Sequence, residues 1–277
     1  MAQTDTASAH RPRRRIVGVS TKMYFSALQT QQYIDQVLQQ LSGDSSILSD
    51  IDVFIIPDFI SLASAIHQTH GHDIWCGAQD TFHQNFGPYT GEVSPAVLAE
   101  LGCRLVEVGH AERRRIFGET DDITAKKTAA VTSNGMIPLV CIGEQARGEI
   151  EAVRECERQI QIVTESLPDE AEVIFAYEPM WAIGAAEPAE PEYITRVVST
   201  IRNLKHIQSR RGSVRIIYGG SAGPGLFGKL ANSVDGLFLG RFAHDPARFV
   251  ETIFEVAGIH RGGKGNGETN HVGRWGQ

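Results

Sequence analysis

Short apolar runs that suit β-strands recur eight times along this chain, at a spacing of roughly thirty residues. The runs are apolar on both faces and do not alternate with polar residues, a pattern typical of parallel strands buried on both sides. This recurrence limits the fold strongly, because each strand needs neighbours that cover both of its faces. The predicted strands are Ile16–Ser20, Val53–Pro57, Ile74–Gln79, Leu105–Gly109, Pro138–Ile142, Val173–Tyr177, Val214–Tyr218 and Gly236–Leu239.

Helical periodicity fills the intervals between these runs. Apolar stripes at helical spacing begin at Ile34, Val153, Ile194 and Phe249, and Pro191 stands at a position that suits a helix start. Strand and helix alternating eight times predict an α/β fold, a single-domain (β/α)8 TIM barrel over residues 16–260. An open doubly wound sheet is the alternative. It is disfavoured because no Gly-x-Gly-x-x-Gly motif follows the first strand.

The two ends of the chain differ from the body in composition. Residues 1–15 are polar and contain four Arg, and residues 261–277 are rich in Gly and show no periodicity. Such segments bury too little apolar surface to fold, so we predict a disordered tail at each end.

Charge and composition argue against several classes of function. The net charge is −7, and the Arg-rich start leaves about −10 on the rest of the chain, which argues against general nucleic-acid binding. No apolar run approaches the ~18 residues of a membrane span, and the polar start does not resemble a signal peptide. Four Cys residues without a Cys-x-x-Cys pair indicate reduced thiols, so we expect a cytoplasmic protein.

Residues that can move protons or hold an anion stand where predicted strands end. Lys22 follows the first strand, His110 the fourth and Glu178 the sixth. Because the C-terminal ends of barrel strands share one rim, we expect these side chains in one pocket. Glycines in Gly219-Gly220-Ser221 and at Gly240 would let backbone N–H groups approach an oxyanion. An imidazole and a carboxylate facing one pocket predict proton transfer beside a carbonyl.

These motifs together resemble the triosephosphate isomerase family over roughly residues 16–258. The resemblance rests on segments distributed along the chain in a fixed order. They are Lys22-Met23, Gly77-Ala78-Gln79, Thr90-Gly91-Glu92-Val93-Ser94-Pro95, Gly109-His110 with Glu112-Arg113-Arg114, Phe117-Gly118-Glu119, Cys141-Ile142-Gly143-Glu144, Tyr177-Glu178-Pro179-Met180-Trp181-Ala182-Ile183-Gly184 and Tyr218-Gly219-Gly220-Ser221.

The resemblance implies a role for each of the catalytic candidates, in a family that is itself a well-known example of pKa tuning. Glu178 would shuttle a proton between adjacent carbons, His110 would hydrogen-bond the substrate oxygens as a neutral imidazole, and Lys22 would stabilise negative charge. Glu112 would support these side chains, and neither a metal nor a cofactor is expected. The expected contacts to the phosphorylated sugar and its phosphate are Ser20, Gly184, Ser221, Gly240 and Arg241.

The resemblance also implies a mobile lid and a homodimer. The lid would comprise Pro179, Met180, Trp181, Ala182, Ile183 and Gly184, with Trp181 and Ile183 as apolar anchors. The loop of residues 80–92 would insert into the partner subunit of a homodimer. The expected interface residues are Phe86, Thr90, Glu92 and Arg113. We interpret Arg113 and Arg114 as ion-pair and subunit-contact residues, and His70-Gly71-His72-Asp73 as a polar loop, not a metal site.

Several departures from the family pattern fall near the expected site. Ser20 and Tyr24 stand where the family has Asn, Asp80 replaces another Asn, and Ala111 replaces Ser. The lid tip reads Gly-Ala-Ala-Glu-Pro over residues 184–188, where the family shows Gly-Thr-Gly-Lys. Arg241 replaces a Gly after the eighth strand, so its side chain either contacts the phosphate or points outward into a salt bridge.

Three functions stay open at this point. The default is interconversion of dihydroxyacetone phosphate and D-glyceraldehyde 3-phosphate through an enediolate. The second is isomerisation of a four-carbon ketose phosphate such as erythrulose phosphate, since one extra carbon is worth only about 1–3 kcal/mol in a pocket. The third is a phosphate-binding paralogue without catalysis, motivated by the altered lid and by Ser20.

Overall fold

A computed structural model describes residues 14–185 and 187–262. The strands β1 to β8 span Arg15–Ser20, Ile51–Ile56, Ile74–Ala78, Leu105–Val108, Ile137–Ile142, Val173–Tyr177, Val214–Tyr218 and Gly236–Leu239. The helices α1 to α10 span Ala27–Leu41, Phe59–Thr69, Pro95–Leu101, Ala111–Phe117, Asp121–Ser133, Glu149–Glu165, Pro191–Arg202, Lys205–Gln208, Phe227–Leu230 and Pro246–Gly262. Short 3₁₀ helices occupy Ser42–Ser49, Met180–Ala182 and Arg241–His244.

The strands form a closed parallel barrel in sequence order. β1 pairs with β2 on one side and with β8 on the other, where Ile16 lies opposite Gly236 and Val19 opposite Leu239. This closing pair confirms the predicted (β/α)8 barrel. The open doubly wound sheet is wrong, because β1 and β8 hydrogen-bond to each other and leave no free edge between them.

Apolar side chains pack in two layers, one on each face of the strands. The inner layer fills the barrel and includes Phe54, Leu105, Ile174 and Phe238. The outer layer lies between the strands and the helices, with residues such as Val17 and Ile194. The continuous apolar runs in the sequence follow from this arrangement, since successive side chains of a strand point into one layer and then the other.

Local signals in the sequence place several helix starts. The side chains of Ser26, Asp58, Ser94 and Thr120 each accept a hydrogen bond from a backbone N–H in the first turn of the helix that follows. Such caps satisfy donors that lack a partner inside the helix. They fix where each βα loop ends and therefore which residues remain free to line the rim.

The N-terminal end of the barrel is closed by buried ion pairs. Arg215 contacts the carboxylates of Asp52 and Glu172 at 2.5 and 2.6 Å. The guanidinium groups of Arg215 and Arg104 both lie near the ring of Trp75, at 5.7 and 5.3 Å from its centroid. Because these side chains close the N-terminal end, the barrel interior can be reached from the C-terminal end.

The structure extends the expected domain slightly at both ends. β1 begins at Arg15, Arg14 hydrogen-bonds Asp52, and α10 continues to Gly262. The rest of the two predicted tails lies outside the described residues. Within residues 14–185 and 187–262, no helix has the length and apolar character needed to cross a bilayer. All four cysteines are buried free thiols, as the sequence indicated.

Candidate active site

The C-terminal ends of the strands surround a cavity of about 1040 Å³. It is lined by Lys22, His110 and Glu178, which follow strands β1, β4 and β6 respectively. The expected substrate and phosphate contacts line the same cavity, namely Ser20, Gly184, Ser221, Gly240 and Arg241. The structure therefore brings together all the residues that the sequence indicated for proton transfer and for anion binding.

Glu178 is a buried carboxylate with a free oxygen. Its side chain is only 4 % exposed, and in the described part of the chain Oε2 has no hydrogen-bond partner. Burial raises its pKa well above the usual range, and the nearby Glu107 raises it further. Gly219 makes room for it, because a Cβ atom there would lie 2.5 Å from Oε1. The result is a carboxylate that is more basic than an exposed one and points into the cavity.

His110 lies at the start of α4, where its tautomer is set by the backbone. The backbone N–H of Glu112 donates to Nδ1 at 3.1 Å, so in the neutral ring the proton is assigned to Nε2. Burial, followed by the positive charge of Lys22, lowers the pKa of His110 to about 4. The imidazole is thus neutral at pH 7, and its Nε2 lies 3.5 Å from Oε2 of Glu178.

Lys22 is held in a strained backbone conformation at the end of β1. It has a φ angle of 47°, in the left-handed region that side chains other than Gly rarely adopt. The side-chain amide of Gln79 donates to its carbonyl at 2.9 Å, and its Nζ donates to Oε1 of Glu112 at 2.8 Å. Burial works against the charge of Lys22, but its pairing with Glu112 outweighs this and raises its pKa. Lys22 therefore remains a cation at the cavity wall.

The expected phosphate contacts are engaged with the lid in this structure. The hydroxyl of Ser221 donates to the carbonyls of Ala182 and Ala185, at 3.1 and 2.8 Å. Arg241 donates from Nη2 to the carbonyl of Gly184 at 3.2 Å. The Arg241 side chain thus bonds the lid backbone and lines the cavity, and its contact to a phosphate stays a prediction. Four cationic side chains line the cavity, those of Lys22, Arg115, Arg241 and Arg248, and so do four acidic ones, those of Glu107, Glu112, Glu178 and Asp245.

The expected lid residues form a loop with one 3₁₀ turn, and Ala186 at its tip lies outside the described residues. Pro179 precedes the turn, while Met180, Ile183 and Gly184 line the cavity. Trp181 packs edge-on against Tyr193. Trp181 was expected to be an apolar anchor, but its indole N–H also donates to Glu144 at 2.8 Å.

Glu144 is a residue of the lid base to which the sequence analysis gave no role. It is 2 % exposed and accepts hydrogen bonds from Trp181, Tyr193 and Tyr177. Burying a carboxyl group is costly unless such donors satisfy it. The motif Cys141-Ile142-Gly143-Glu144 contributed to the family resemblance, but nothing in its sequence indicates that Glu144 contacts the lid.

The loop after β3 is anchored at its base and exposed at its tip. Asp80 is buried and paired with Lys127 and Arg113, and Glu119 pairs with the same two cations. Phe86 at the tip is 76 % exposed. Arg113 therefore forms the ion pairs that the sequence predicted.

Other parts of the sequence prediction have equally definite positions. Thr90 and Glu92 are exposed on the same loop as Phe86. Arg114 pairs with Asp121. In the described residues no group of three or more His, Cys, Asp or Glu is arranged to hold a metal ion.

Glu107 is a cavity residue that the sequence analysis passed over. It lies on β4 between Val106 and Val108, is 4 % exposed, and its Oε1 lies 3.9 Å from Nε2 of His110. The available signal was a charged residue inside an otherwise apolar parallel strand, which is unusual because a buried charge is costly.

Comparisons of the sequence with known proteins show its family. A family model described as triosephosphate isomerase matches residues 15–256. L-erythrulose-1-phosphate isomerase of Pectobacterium atrosepticum is 44% identical over 244 residues, which cover 86% of this chain and 93% of that protein. Triosephosphate isomerase of Aquifex aeolicus is 34% identical over 249 residues, with 87% and 99% covered. Probable triosephosphate isomerase 2 of Listeria monocytogenes is 33% identical over 253 residues, with 88% and 98% covered.

Proposed function

The chain belongs to the triosephosphate isomerase family, and from this premise we propose that it is an aldose–ketose isomerase of a small ketose phosphate. The reaction passes through an enediolate and interconverts dihydroxyacetone phosphate and D-glyceraldehyde 3-phosphate. One observation carries the proposal. A neutral His110 and a Glu178 with a free Oε2 face the same cavity with 3.5 Å between Nε2 and Oε2.

Glu178 is the base in the proposed reaction. Its carboxylate takes a proton from the carbon that bears the hydroxyl group beside the carbonyl. The electron pair of that C–H bond forms the C=C bond of the enediolate, and the carbonyl π pair moves onto oxygen. Glu178 then returns the proton to the neighbouring carbon. In the same step the proton of the original hydroxyl group passes to the oxyanion, so that the old carbonyl oxygen becomes a hydroxyl and the old hydroxyl oxygen becomes the new carbonyl. Because burial raises the pKa of Glu178, the carboxylate is basic enough for a carbon acid.

His110 and Lys22 stabilise the charge that develops on oxygen. The Nε2–H of His110 donates to the substrate oxygens, and a neutral imidazole suits this task because it can donate without carrying a net charge to desolvate. Lys22 supplies a positive charge at the cavity wall. The lid closes over the phosphate and excludes water, which protects the enediol phosphate.

The test is a panel of phosphorylated sugars with a proton-exchange readout. In deuterated water we expect label at the reacting carbon of dihydroxyacetone phosphate and formation of D-glyceraldehyde 3-phosphate. Binding of the sugar phosphate without incorporation of label would contradict the proposal and would support a phosphate-binding protein without catalysis.

A four-carbon ketose phosphate is the second candidate substrate. The favouring observation is the relative from Pectobacterium atrosepticum, which is named for erythrulose 1-phosphate and is 44% identical, against 34% for the triosephosphate isomerase of Aquifex aeolicus. Ser20 supports it, because its side chain at the cavity wall is shorter than the Asn of the family pattern. Measuring kcat/KM for three- and four-carbon substrates side by side decides between the two candidates. A higher value for the four-carbon compound would overturn the three-carbon default.

We also propose that the protein acts as a homodimer. Large apolar side chains are exposed on loops and helices that follow the neighbouring strands β1 to β4. Their exposed fractions are 93% for Met23, 88% for Ile60, 76% for Phe86 and 66% for Phe117. A concentration of exposed apolar groups on one side favours a protein–protein interface.

The four buried free thiols support a reducing, cytoplasmic location.

A further inference from the structure

The carboxyl group of Glu107 lies inside the barrel, where its strand is otherwise apolar. Leu105, two residues earlier on β4, belongs to the inner core, so Glu107 points to the same interior face. Its side chain is 5 % exposed, and the residue lines the cavity. A buried carboxyl group is costly unless something in the site or in its ligand satisfies it.

The contacts of Glu107 with His110 and Cys141 are long. Its Oε1 lies 3.9 Å from Nε2 of His110 and 3.9 Å from Sγ of Cys141, a weak donor. Burial raises the pKa of Glu107 to about 8 against the opposing effects of Lys22 and of a hydrogen-bonding contact from the Ser20 hydroxyl. The raised pKa favours the neutral acid, which can both donate and accept a hydrogen bond.

Glu107 lies far from the groups that would hold a phosphate. In the closed ring of strands, β4 is directly across the barrel from β8. Gly240 and Arg241 follow β8 at the rim, whereas Glu107 belongs to β4 itself and lies below the rim. A substrate with its phosphate at the rim would therefore reach Glu107 with its opposite end.

The chemistry of the reaction determines what can extend to that end. When the carbonyl carbon is next to the carbon that bears the phosphate, a fourth carbon can only be attached to the reacting carbon on the far side. The enediolate step is then unchanged in atoms and electrons, and one hydrogen of the three-carbon substrate is replaced by a hydroxymethyl group. The product is a ketose, because the new carbonyl carbon bears two carbon substituents.

We propose that Glu107, together with the Ser20 hydroxyl, forms a floor that hydrogen-bonds the hydroxymethyl group of a four-carbon ketose 1-phosphate and so selects it over the three-carbon substrate. This inference rests on the proposed isomerase function and takes the second candidate substrate named there in place of the three-carbon default. The short side chain of Ser20 would leave space for the hydroxymethyl group, and the carboxyl group of Glu107 would hydrogen-bond it. A site built to hydrogen-bond a hydroxyl discriminates strongly against an analogue that lacks it, because its own polar group is left unpaired.

The test compares kcat/KM for dihydroxyacetone phosphate and for erythrulose 1-phosphate in the wild type, Glu107→Leu and Glu107→Gln. We expect the wild type to prefer the four-carbon compound. Glu107→Leu should lower the ratio of kcat/KM for the four-carbon compound to kcat/KM for the three-carbon one by about 10–100-fold, beyond any loss that both substrates share. Glu107→Gln should retain most of the preference, because the amide also donates and accepts. Leu105→Ile is the matched control on the same face of β4, outside the cavity, and should leave the ratio unchanged.

Two results would overturn the inference. They are a wild type that prefers the three-carbon substrate, and a ratio of the two kcat/KM values that Glu107→Leu leaves unchanged, whether both values fall equally or neither changes. Ser20→Asn provides a second route if Glu107→Leu does not fold, since a longer side chain at the floor should reduce four-carbon turnover selectively, and equal effects on both substrates would again contradict the inference. If the wild type exchanges no proton with either compound, the proposed function itself fails.

Discussion

The Nε2 atom of His110 lies 3.5 Å from Oε2 of Glu178, although the two residues follow different strands of the barrel. The distance is too long for a hydrogen bond, so Oε2 keeps its lone pairs for a proton that comes from elsewhere. Nδ1 of the imidazole is already used by the backbone N–H of Glu112. One donor and one base thus face the same small volume, and several consequences can be measured.

Changing Glu178 to Gln should lower kcat by about 10²–10⁴, equivalent to about 3–5 kcal/mol of activation free energy. The amide has the shape of the carboxylate but cannot accept a proton from carbon. Steady-state kinetics on the preferred substrate measure the effect. Glu172→Gln, at the opposite end of the barrel, is the control for loss of one carboxylate. A near-normal rate in Glu178→Gln would show that another group is the base.

The acid limb of the pH profile should belong to Glu178 and not to His110. The pKa of His110 is lowered to about 4, so the imidazole stays neutral as the pH falls from 8 to 5. The pKa of Glu178 is raised, so the base is protonated first. We expect His110→Gln to lower kcat/KM while the midpoint of its acid limb stays where it is in the wild type. A midpoint that shifts or disappears in this variant would assign the limb to His110.

Replacing Glu107 by Gln should stabilise the fold more at pH 8 than at pH 5. The pKa of Glu107 is raised to about 8 in the folded protein, mainly by burial, so its contribution to stability is greatest at low pH and is lost as the pH rises towards 8. The difference in unfolding free energy between Glu107→Gln and wild type should grow by roughly 1–3 kcal/mol over this range. Denaturant unfolding at both pH values measures it, and a difference independent of pH would contradict the raised pKa.

The charged groups whose interactions with Glu107 affect this pH dependence come from several elements. Lys22 follows β1, Asp80 follows β3, and Glu112 belongs to α4. Glu178 after β6 is also near, because Glu107 raises its pKa in turn. Lys22→Met should therefore raise the pKa of Glu107 further and move the stability difference to higher pH.

Weakening the hydrogen bond between Trp181 and Glu144 should affect the lid more than the chemistry. Trp181→Phe keeps an aromatic ring but removes the indole N–H that donates to Glu144 at 2.8 Å. A lid that is less firmly held closes less well over the enediol phosphate, so we expect more phosphate elimination per isomerisation. Release of inorganic phosphate during turnover measures this. Tyr193→Phe is the control, because it removes another donor to Glu144 but keeps the ring on α7 against which Trp181 packs.

Placing a charge at the tip of the loop after β3 should separate the subunits of the proposed dimer. Phe86→Asp introduces a carboxylate at a side chain that is 76 % exposed in a single chain. A charge buried without a partner costs several kcal/mol, so association should weaken strongly. Sedimentation should show about twice 30.3 kDa for the wild type and 30.3 kDa for the variant. Ile150→Asp on α6, at a side chain 70 % exposed, should remain a dimer, and wild-type sedimentation as a monomer would contradict the proposal.

Much of the fold and part of the site could be read from the sequence. The eight apolar runs predicted the strands because a parallel strand buried on both faces has little choice of side chains. Lys22, His110 and Glu178 could be placed at one rim because closure of a barrel brings the ends of all its strands together. Glu144 and Glu107 could not be assigned in this way. Their surroundings are made by residues that are distant in the chain.

The sequence by itself determined the order of strands and helices and the identity of the proton-handling side chains, since both follow from local pattern and from the ends of elements. Only the tertiary structure decided which charges are close together. In the folded barrel Arg241 donates a hydrogen bond to the carbonyl of Gly184. The carboxyl group of Glu107 lies 3.9 Å from His110, across the barrel from Gly240 and Arg241, which follow β8. The physical reason is that burial, tautomer and pKa depend on distances between residues of different strands, and those distances exist only once the barrel has closed.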